Sequence, residues 1–390
     1  MAKEQIGTYQ WSSYNQLVEH KLDMDELIYV LSPIDLPLLT GVGSNGAAVL
    51  PRLPVTDRTF WWMDEDVPLP RGSTGASIAD GTVVTITVAA GEAVKFPVGS
   101  TLRIENELVK VTAINTATSV LTVTRAANGT TGVAHTVVGT EIIGVGTSLV
   151  EGAVGEAAFR GRDKAFNYTQ VFSRKFGVTG TELVIPKYGV PSELARQTVN
   201  VGQHLNTEVE QAALYGIRYN DDTTQVRSTG GLASFIVTNV DTDDTWLTVD
   251  LIQVRQQNAY NAGGMFDILM AQPGHFQALN NISGEQRIQT VTIDDPRRGR
   301  MSAQVVLTEF GALTLVRNRW VRKTDAFAFN RANFILRTMR PMTLTGLAKT
   351  DDRENYLMLG EYGFEVKGES HMAKWTGLSL VAALPASGLV

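Results

Sequence analysis

The chain has 390 residues, of which 43% are apolar and 19% charged, a composition typical of a globular protein of two or three domains. The formal charge of −6 argues against a protein that grips nucleic acid tightly through phosphates, and the absence of cysteine excludes disulfides, thiolate metal sites and cysteine nucleophiles. Neither a signal peptide nor an apolar run long enough to span a membrane is predicted.

Residues 1–47 are predicted to form an extended arm. A short helix is expected over 23–31, where acidic residues precede apolar ones, and Ser32-Pro33 should end it. The following apolar segment, Leu36 to Leu39, is too short to bury itself. We therefore expect the arm to need a partner surface, with Leu36 and Leu38 as contact candidates.

Residues 48–77 are predicted to form a long, partly extended loop, because four prolines interrupt them. The loop contains an aromatic run, Phe60-Trp61-Trp62, and an acidic tip, Asp64-Glu65-Asp66. Aromatic residues on a loop are either packed core or interface anchors, and we favour the interface. For the acidic tip, a solvated or salt-bridged turn is favoured over a divalent-cation site.

Residues 78–147 differ in composition from their surroundings. They are rich in Thr, Val and Gly, apolar residues alternate with polar ones, and turn residues recur at intervals of about 8–12 positions, as is typical of a small β-sandwich or barrel. Strand-like sequence resumes over 148–180, so we interpret 78–147 as a domain inserted into a larger unit.

A long helix is predicted over about 192–217, with Ser192 as its N-cap and a length of roughly 40 Å. Its apolar positions recur at helical spacing and define one buried face. They are Leu194, Thr198, Val201, Leu205, Val209 and Ala212.

Residues 231–345 are predicted to form a mixed α/β segment. Helices are predicted over 248–262, closed by Gly263-Gly264, and over 273–282. Strands are predicted over 266–270, 303–308 and 312–319, and further strands over 343–385, with 356–359 and 362–366 the clearest.

No motif points to an enzyme, a metal or a cofactor. The Gly41 to Gly46 segment matches G-x-G-x-x-G, but Pro51 and Pro54 follow where a dinucleotide-binding helix would have to begin. The five histidines are scattered without ligand spacing, and no P-loop, zinc-protease or nucleophile-elbow pattern occurs. We therefore predict a non-enzymatic protein without cofactor.

The stretch from Arg287 to Arg340 is strongly basic, with eleven Lys/Arg against four acids in a chain of net charge −6. This stretch could face a polyanion or acidic segments of a neighbouring copy, or it could pair internally with the acidic arm and loop. Candidates for the basic face are Arg297, Arg298, Arg300, Arg317 and Arg319, and candidates for docking the acidic tip of another copy are Arg331 and Arg337.

Several local segments, in their order and spacing, resemble a known family. They are Leu31 to Leu38, Asn167 to Phe172 with Val178 to Thr181, Ala195 to Gln197 with Glu208 to Ala212, Phe310 to Leu315 with Asn318 to Trp320, and Leu347 to Thr350. Together they make the chain similar to tailed-bacteriophage major capsid proteins of the Hong Kong 97 type, within which it resembles those with a β insertion in the extended loop.

The resemblance implies an α+β fold with five parts. These are an N-terminal arm (1–47), extended-loop limbs (48–77 and 148–180), the inserted β domain (78–147), a peripheral domain with the spine helix (181–230 and 343–390) and an axial domain (231–342).

The resemblance also implies a virion shell, assembled in the host bacterial cytoplasm. Pentamers and hexamers of the chain would form an icosahedral head around double-stranded DNA, contacted non-specifically. Separate scaffolding, portal and decoration proteins are possible partners, and no membrane is involved. An encapsulin-like nanocompartment shell with enzyme cargo is the main alternative, and a tail-tube subunit is a weaker one.

Overall fold

A computed structural model describes residues 35–39, 50–65, 70–149, 151–152, 162–185, 192–242, 246–282, 288–295, 299–349 and 352–379. Among the described helices, none is both long and apolar enough to cross a membrane. The predicted arm helix at 23–31 lies outside the described residues.

Within the described residues the chain is rich in strand and contains five α-helices. The helices are α1 (Gly180–Val184), α2 (Glu193–Tyr215), α3 (Leu232–Phe235), α4 (Val249–Asn261) and α5 (Pro273–Ile282). The strands are β1 (Arg52–Pro54), β2 (Thr59–Asp64), β3 (Arg71–Ser73), β4 (Thr85–Thr87), β5 (Thr101–Ile104), β6 (Glu107–Asn115), β7 (Val120–Thr124), β8 (Glu141–Gly146), β9 (Asp163–Tyr168), β10 (Gln170–Thr179), β11 (Tyr219–Asp221), β12 (Val226–Ser228), β13 (Val240–Asp241), β14 (Ile268–Ala271), β15 (Ile288–Asp295), β16 (Gly299–Thr308), β17 (Gly311–Arg317), β18 (Ala326–Phe329), β19 (Phe334–Gly346), β20 (Arg353–Val366) and β21 (Ala373–Trp375).

The chain divides into two compact units. In its described part the first contains Phe172–Glu208 and Pro341–Gly360. Most of β10 and the first part of α2 belong to it, and the rings of Phe176 and Tyr356 stack there with centroids 5.8 Å apart. The Ser192 hydroxyl accepts a hydrogen bond from the Ala195 amide (3.3 Å), so the predicted N-cap of the long helix is confirmed.

The second unit contains Asp35–Val171, Val209–Arg340 and the chain from Glu361 onward. Its largest sheet has seven described strands in the order β13-β21-β18-β14-β17-β16-β15. Apolar residues of α4, α5 and this sheet, among them Ile252, Phe276 and Leu313, form one buried cluster. The Thr248 hydroxyl caps α4 by accepting from the Leu251 amide, and Gly263 follows the helix with φ +94°.

One boundary differs from the sequence-based assignment of 343–390 to the peripheral domain. Strand β21 pairs with β13 and β18 in the seven-stranded sheet. The physical reason is Trp375, which is fully buried in the cluster around α4 and so holds this segment there.

A six-stranded sheet, β3-β8-β5-β6-β7-β4, has a core of its own. Its buried side chains include Ile86, Phe96, Ile104 and Leu121. The sheet begins at Arg71, earlier than the predicted start at 78, because β3 pairs with β8. Its interpretation as an inserted domain remains a prediction.

The remaining described strands form a four-stranded sheet, β1-β19-β20-β10, and two antiparallel pairs, β2-β9 and β11-β12. The predicted extended loop at 48–77 thus contains three strands, one in each of three different sheets. Strand β1 runs parallel to β19, with Arg52 opposite Leu336.

Candidate assembly surfaces

Strands β2 and β9 form a two-stranded antiparallel ribbon in which Trp61 faces Phe166 across the strands. Side chains alternate between its faces, as the pleat requires. Phe60 and Trp62 are only 7% and 5% exposed, whereas Trp61 and Met63 are 59% and 57% exposed. The interface prediction is therefore wrong for Phe60 and Trp62, which belong to the core of the chain, and stands as a prediction for Trp61.

The inner face of the ribbon is fixed by packing and by one buried amide. The Trp62 ring lies 5.7 Å from that of Phe235. Asn167 is fully buried, and its Nδ2 donates to the carbonyl oxygens of Phe364 (2.6 Å) and Gly230 (2.9 Å). A buried amide with its donors satisfied holds the strand in one position, so the opposite face is presented on a fixed support.

The opposite face, here called the outer ribbon face, consists of Thr59, Trp61, Met63, Lys164, Phe166 and Tyr168. The Trp61 and Phe166 rings lie 4.6 Å apart, and the Arg218 guanidinium lies 4.1 Å from the centroid of Phe166. Arg218 Nη1 also donates to the Phe166 carbonyl oxygen (2.9 Å). Tryptophan, tyrosine and arginine of this kind dominate the binding energy of protein interfaces, so this face is suited to contact with another protein.

The arm residues Leu36 and Leu38 are buried within the second unit, at 3% and 0% exposure. The prediction that they need another copy is therefore wrong. Residues 35–39 are instead held by hydrogen bonds from within the unit: the Trp320 indole donates to the Asp35 carbonyl oxygen (2.8 Å), and Glu210 of α2 accepts from the arm backbone.

Glu210 is a fully buried carboxyl group that binds the arm. Its Oε1 accepts from the Leu38 amide (3.0 Å) and from Asn318 Nδ2 (2.9 Å), and its Oε2 accepts from the Leu39 amide (3.1 Å). Burial raises the pKa of Glu210 to about 7, although these three donors favour the ionised form. No local feature of the sequence marks this residue.

The acidic tip and its predicted docking residues are partly engaged within the chain. Glu65 pairs with Arg162 (3.0 Å), the Asp64 carboxylate lies 3.4 Å from the Gly368 amide, and Asp66 lies outside the described residues. Arg337 pairs with the buried carboxylate of Glu365 and donates to the Pro54 carbonyl oxygen (3.2 Å). The charge of Arg337 is thus already engaged inside the chain, and its docking role stays a prediction.

Arg331 lies in the turn after β18, and its amide donates to Asp267 (3.0 Å). The docking role of Arg331 stays a prediction.

Some cations of the basic stretch pair within the chain, and others are exposed. Arg337 and Arg340 pair within the chain with the buried Glu365 and Glu361 of β20, and not with the acidic arm and loop that the internal alternative named. Arg317 and Arg319, at the end of β17, are exposed, and within the described residues no ion pair joins them. Arg297 and Arg298 lie outside the described residues, and Arg300 lies in β16 opposite Asp294.

Arg322 and Lys323 are exposed close to Arg317 and Arg319 in sequence, and the Arg322 guanidinium lies 4.5 Å from the centroid of the Tyr215 ring. This run of four cations, from Arg317 to Lys323, is here called the basic tip.

The six-stranded sheet encloses a charged cluster that sequence analysis also missed. The Arg125 guanidinium donates to both oxygens of Glu107 (2.6 Å each), and His135 Nε2 lies 3.1 Å from Glu107 Oε2. Burial would raise the pKa of Glu107, but the bonds from Arg125, from the Val133 and Ala126 amides and from His135 outweigh it and lower the pKa to about 2. Among the described residues, no group of three or more His, Cys, Asp or Glu side chains is placed to hold a metal ion.

Comparison with solved structures identifies the fold. The capsid of Myoviridae phage XM1 matches with a TM-score of 0.50 and 11% identity, over 95% of this chain and 99% of that chain. A structure from Mycobacterium phage Adephagia matches with a TM-score of 0.49 and 9% identity, over 95% and 99%. An encapsulin complex from Synechococcus elongatus matches over 57% of this chain and 78% of its own, with a TM-score of 0.42 and 9% identity. The fold is the α+β capsid fold of the Hong Kong 97 type.

Comparison with curated protein sequences finds no significant match. In contrast, the family model described as SU10 major capsid protein matches residues 6–379, nearly the whole chain. The expectation of a phage major capsid protein is thereby confirmed, and the chain belongs to the SU10 major capsid protein family.

Proposed function

We propose that this major capsid protein builds an icosahedral phage head from pentamers and hexamers, in the host bacterial cytoplasm and without catalysing a reaction. The observation that supports this most is the match to the capsid family over residues 6–379. Separate scaffolding, portal and decoration proteins would take part. The six-stranded sheet would be an inserted domain of the extended loop.

The outer ribbon face is the proposed contact between subunits. Trp61 and Met63 of this face each leave more than half of their surface exposed, although Trp62 between them is buried. Covering an exposed area of roughly 150 Å² at about 25 cal/mol per Å² would contribute about 3–4 kcal/mol for each copy. Because a closed shell repeats each contact many times, a contribution of this size at every subunit would hold the particle together.

The basic tip is the proposed contact with packaged double-stranded DNA. Arg317 and Arg319 are exposed, without ion pairs in the described part of the chain, and phosphate groups attract such cations in a salt-dependent manner. With a net charge of −6 on the whole chain, this contact would be weak and independent of base sequence.

The assembly proposal is tested by replacing Trp61 with serine and examining the expressed protein by negative-stain microscopy and sedimentation. We expect closed particles from the wild type and mostly unassembled, folded subunits from Trp61→Ser. Val254→Ser is the control, because Val254 is also about half exposed (51%) but belongs to α4 and not to the ribbon. Normal particles from Trp61→Ser would contradict the role of the outer ribbon face, and a wild-type chain that stays monomeric would contradict the function.

A further inference from the structure

A cavity of about 500 Å³ lies beside the start of β2 and has no role in the assembly contacts described so far. It is lined by Arg58, Asn220, Asp222, Gln225 and Arg227, and is here called the basal pocket. Arg58 immediately precedes the ribbon, and the other four residues belong to the β11-β12 hairpin.

The pocket is built on buried groups. The Arg58 carbonyl oxygen accepts from the Thr169 amide (2.9 Å), and the Thr169 hydroxyl donates to Glu361 (2.7 Å). Glu361 is only 2% exposed, and its carboxylate binds Arg227 (3.2 Å) and Arg340 (2.8 Å). The Arg227 guanidinium is thus held in place by Glu361, so its side chain loses little conformational entropy when a ligand binds.

The residues that line the pocket carry two guanidinium groups, of Arg58 and Arg227, and one carboxylate, of Asp222. The neighbouring Asp57 carboxylate accepts a hydrogen bond from the Arg58 amide (2.6 Å). In the part of the chain that the structure describes, no ion pair joins the Arg58 guanidinium, and Asp222 accepts from Asn220 (3.0 Å). A planar guanidinium with free N–H groups prefers an oxyanion, above all a carboxylate bound through two hydrogen bonds.

The opposite end of the same strand supplies such a group. Glu65 directly follows β2, is exposed, and comes between Asp64 and Asp66 in sequence. Its pair with Arg162 is solvent-exposed on both sides (64% and 54%), and exposed pairs of this kind contribute at most about 1 kcal/mol, so Glu65 can exchange partners. Arg58 and Glu65 are seven steps apart along extended chain, or about 23 Å, so Glu65 cannot reach the basal pocket of its own chain.

We propose that the basal pocket binds the Glu65 carboxylate of a second copy of the chain. This inference rests on the proposed self-assembly and names one of its contacts. The contact is heterologous, since it joins the acidic end of one ribbon to the basic start of another, and heterologous contacts generate rings when their rotation closes. It is continuous with the outer ribbon face, because β2 connects the two ends.

The test is a charge exchange, read out as the protein concentration at which particles form in low-salt buffer. Arg58→Glu should raise that concentration at least about five-fold, because a like charge would then face Glu65. Glu65→Arg should act in the same direction, and the double variant Arg58→Glu/Glu65→Arg should recover most of the loss. The gentler Arg58→Gln should show a smaller rise, and the effects should shrink at high salt.

Lys175→Glu is the matched control, since it makes the same change of charge on the exposed side of β10 and should leave assembly unchanged. Circular dichroism would verify that each variant is folded. Assembly of folded Arg58→Glu at the wild-type concentration, or a double variant no better than either single one, would overturn the pocket contact alone. A wild-type chain that never associates would overturn the proposed function as well.

Discussion

Replacing Glu210 with glutamine should remove a specific pH dependence from the stability of the subunit. The pKa of Glu210 is raised from an ordinary value of 4.5 to about 7 by burial. Between these two values the folded chain holds a proton that the unfolded chain has released, so the free energy of unfolding falls as pH rises. A difference of about 2.5 pKa units corresponds to about 3 kcal/mol of stability lost between pH 4.5 and pH 7.

The measurement is urea unfolding of dissociated subunits at a series of pH values, followed by tryptophan fluorescence. The free energy of unfolding of wild type minus that of Glu210→Gln should fall by about 3 kcal/mol between pH 4.5 and pH 7, because glutamine is close in shape to glutamate but does not titrate. Glu208→Gln is the control: Glu208 lies two residues earlier in α2 and pairs with Arg174 at the surface. If Glu210→Gln shows the same pH slope as wild type, the protonation argument is refuted.

Two further predictions concern the six-stranded sheet. Because the pKa of Glu107 is lowered to about 2, its contribution to stability should be present above pH 4.5 and disappear as pH falls toward 2. Thermal melts at a series of acidic pH values should show this loss in wild type and not in Glu107→Gln. Melting temperatures that fall equally with pH in both proteins would disprove it. Replacing residues 75–139 with a short Gly/Ser linker should leave a folded subunit, since the six-stranded sheet has its own core. If size-exclusion chromatography shows that the shortened chain aggregates, the rest of the fold depends on this sheet.

The sequence predicted the helices well, because the signals that define them are local. Thr248 and Gly263 bound α4, and Ser192 caps α2. The role of Glu210 could not be predicted in this way, since the Leu38 amide that it binds lies 172 positions away in the chain. A glutamate in the middle of an amphipathic helix reads as a surface residue unless its distant partner is known.

The β2-β9 ribbon was predicted as a loop for a different reason. The alternation of Phe60, Trp61 and Trp62 was present in the sequence, and a strand there would have placed Trp61 on one face and its two neighbours on the other. The surrounding prolines favoured a loop, and a loop gives no reason to separate the three. Strand β2 forms because β9 supplies a pairing partner about a hundred residues later, which no local signal reveals.

The pairing of β3 with β8 has a consequence for protein engineering. Arg71 and Ile143 lie opposite each other in this antiparallel pair, where facing residues are about 5 Å apart, so the chain between them begins and ends at nearly the same place. Any foreign module whose two termini are adjacent can be grafted at such a junction without stretching the host. If the six-stranded sheet is the inserted domain that we propose, an antigen or an enzyme could therefore be fused to the subunit at this junction.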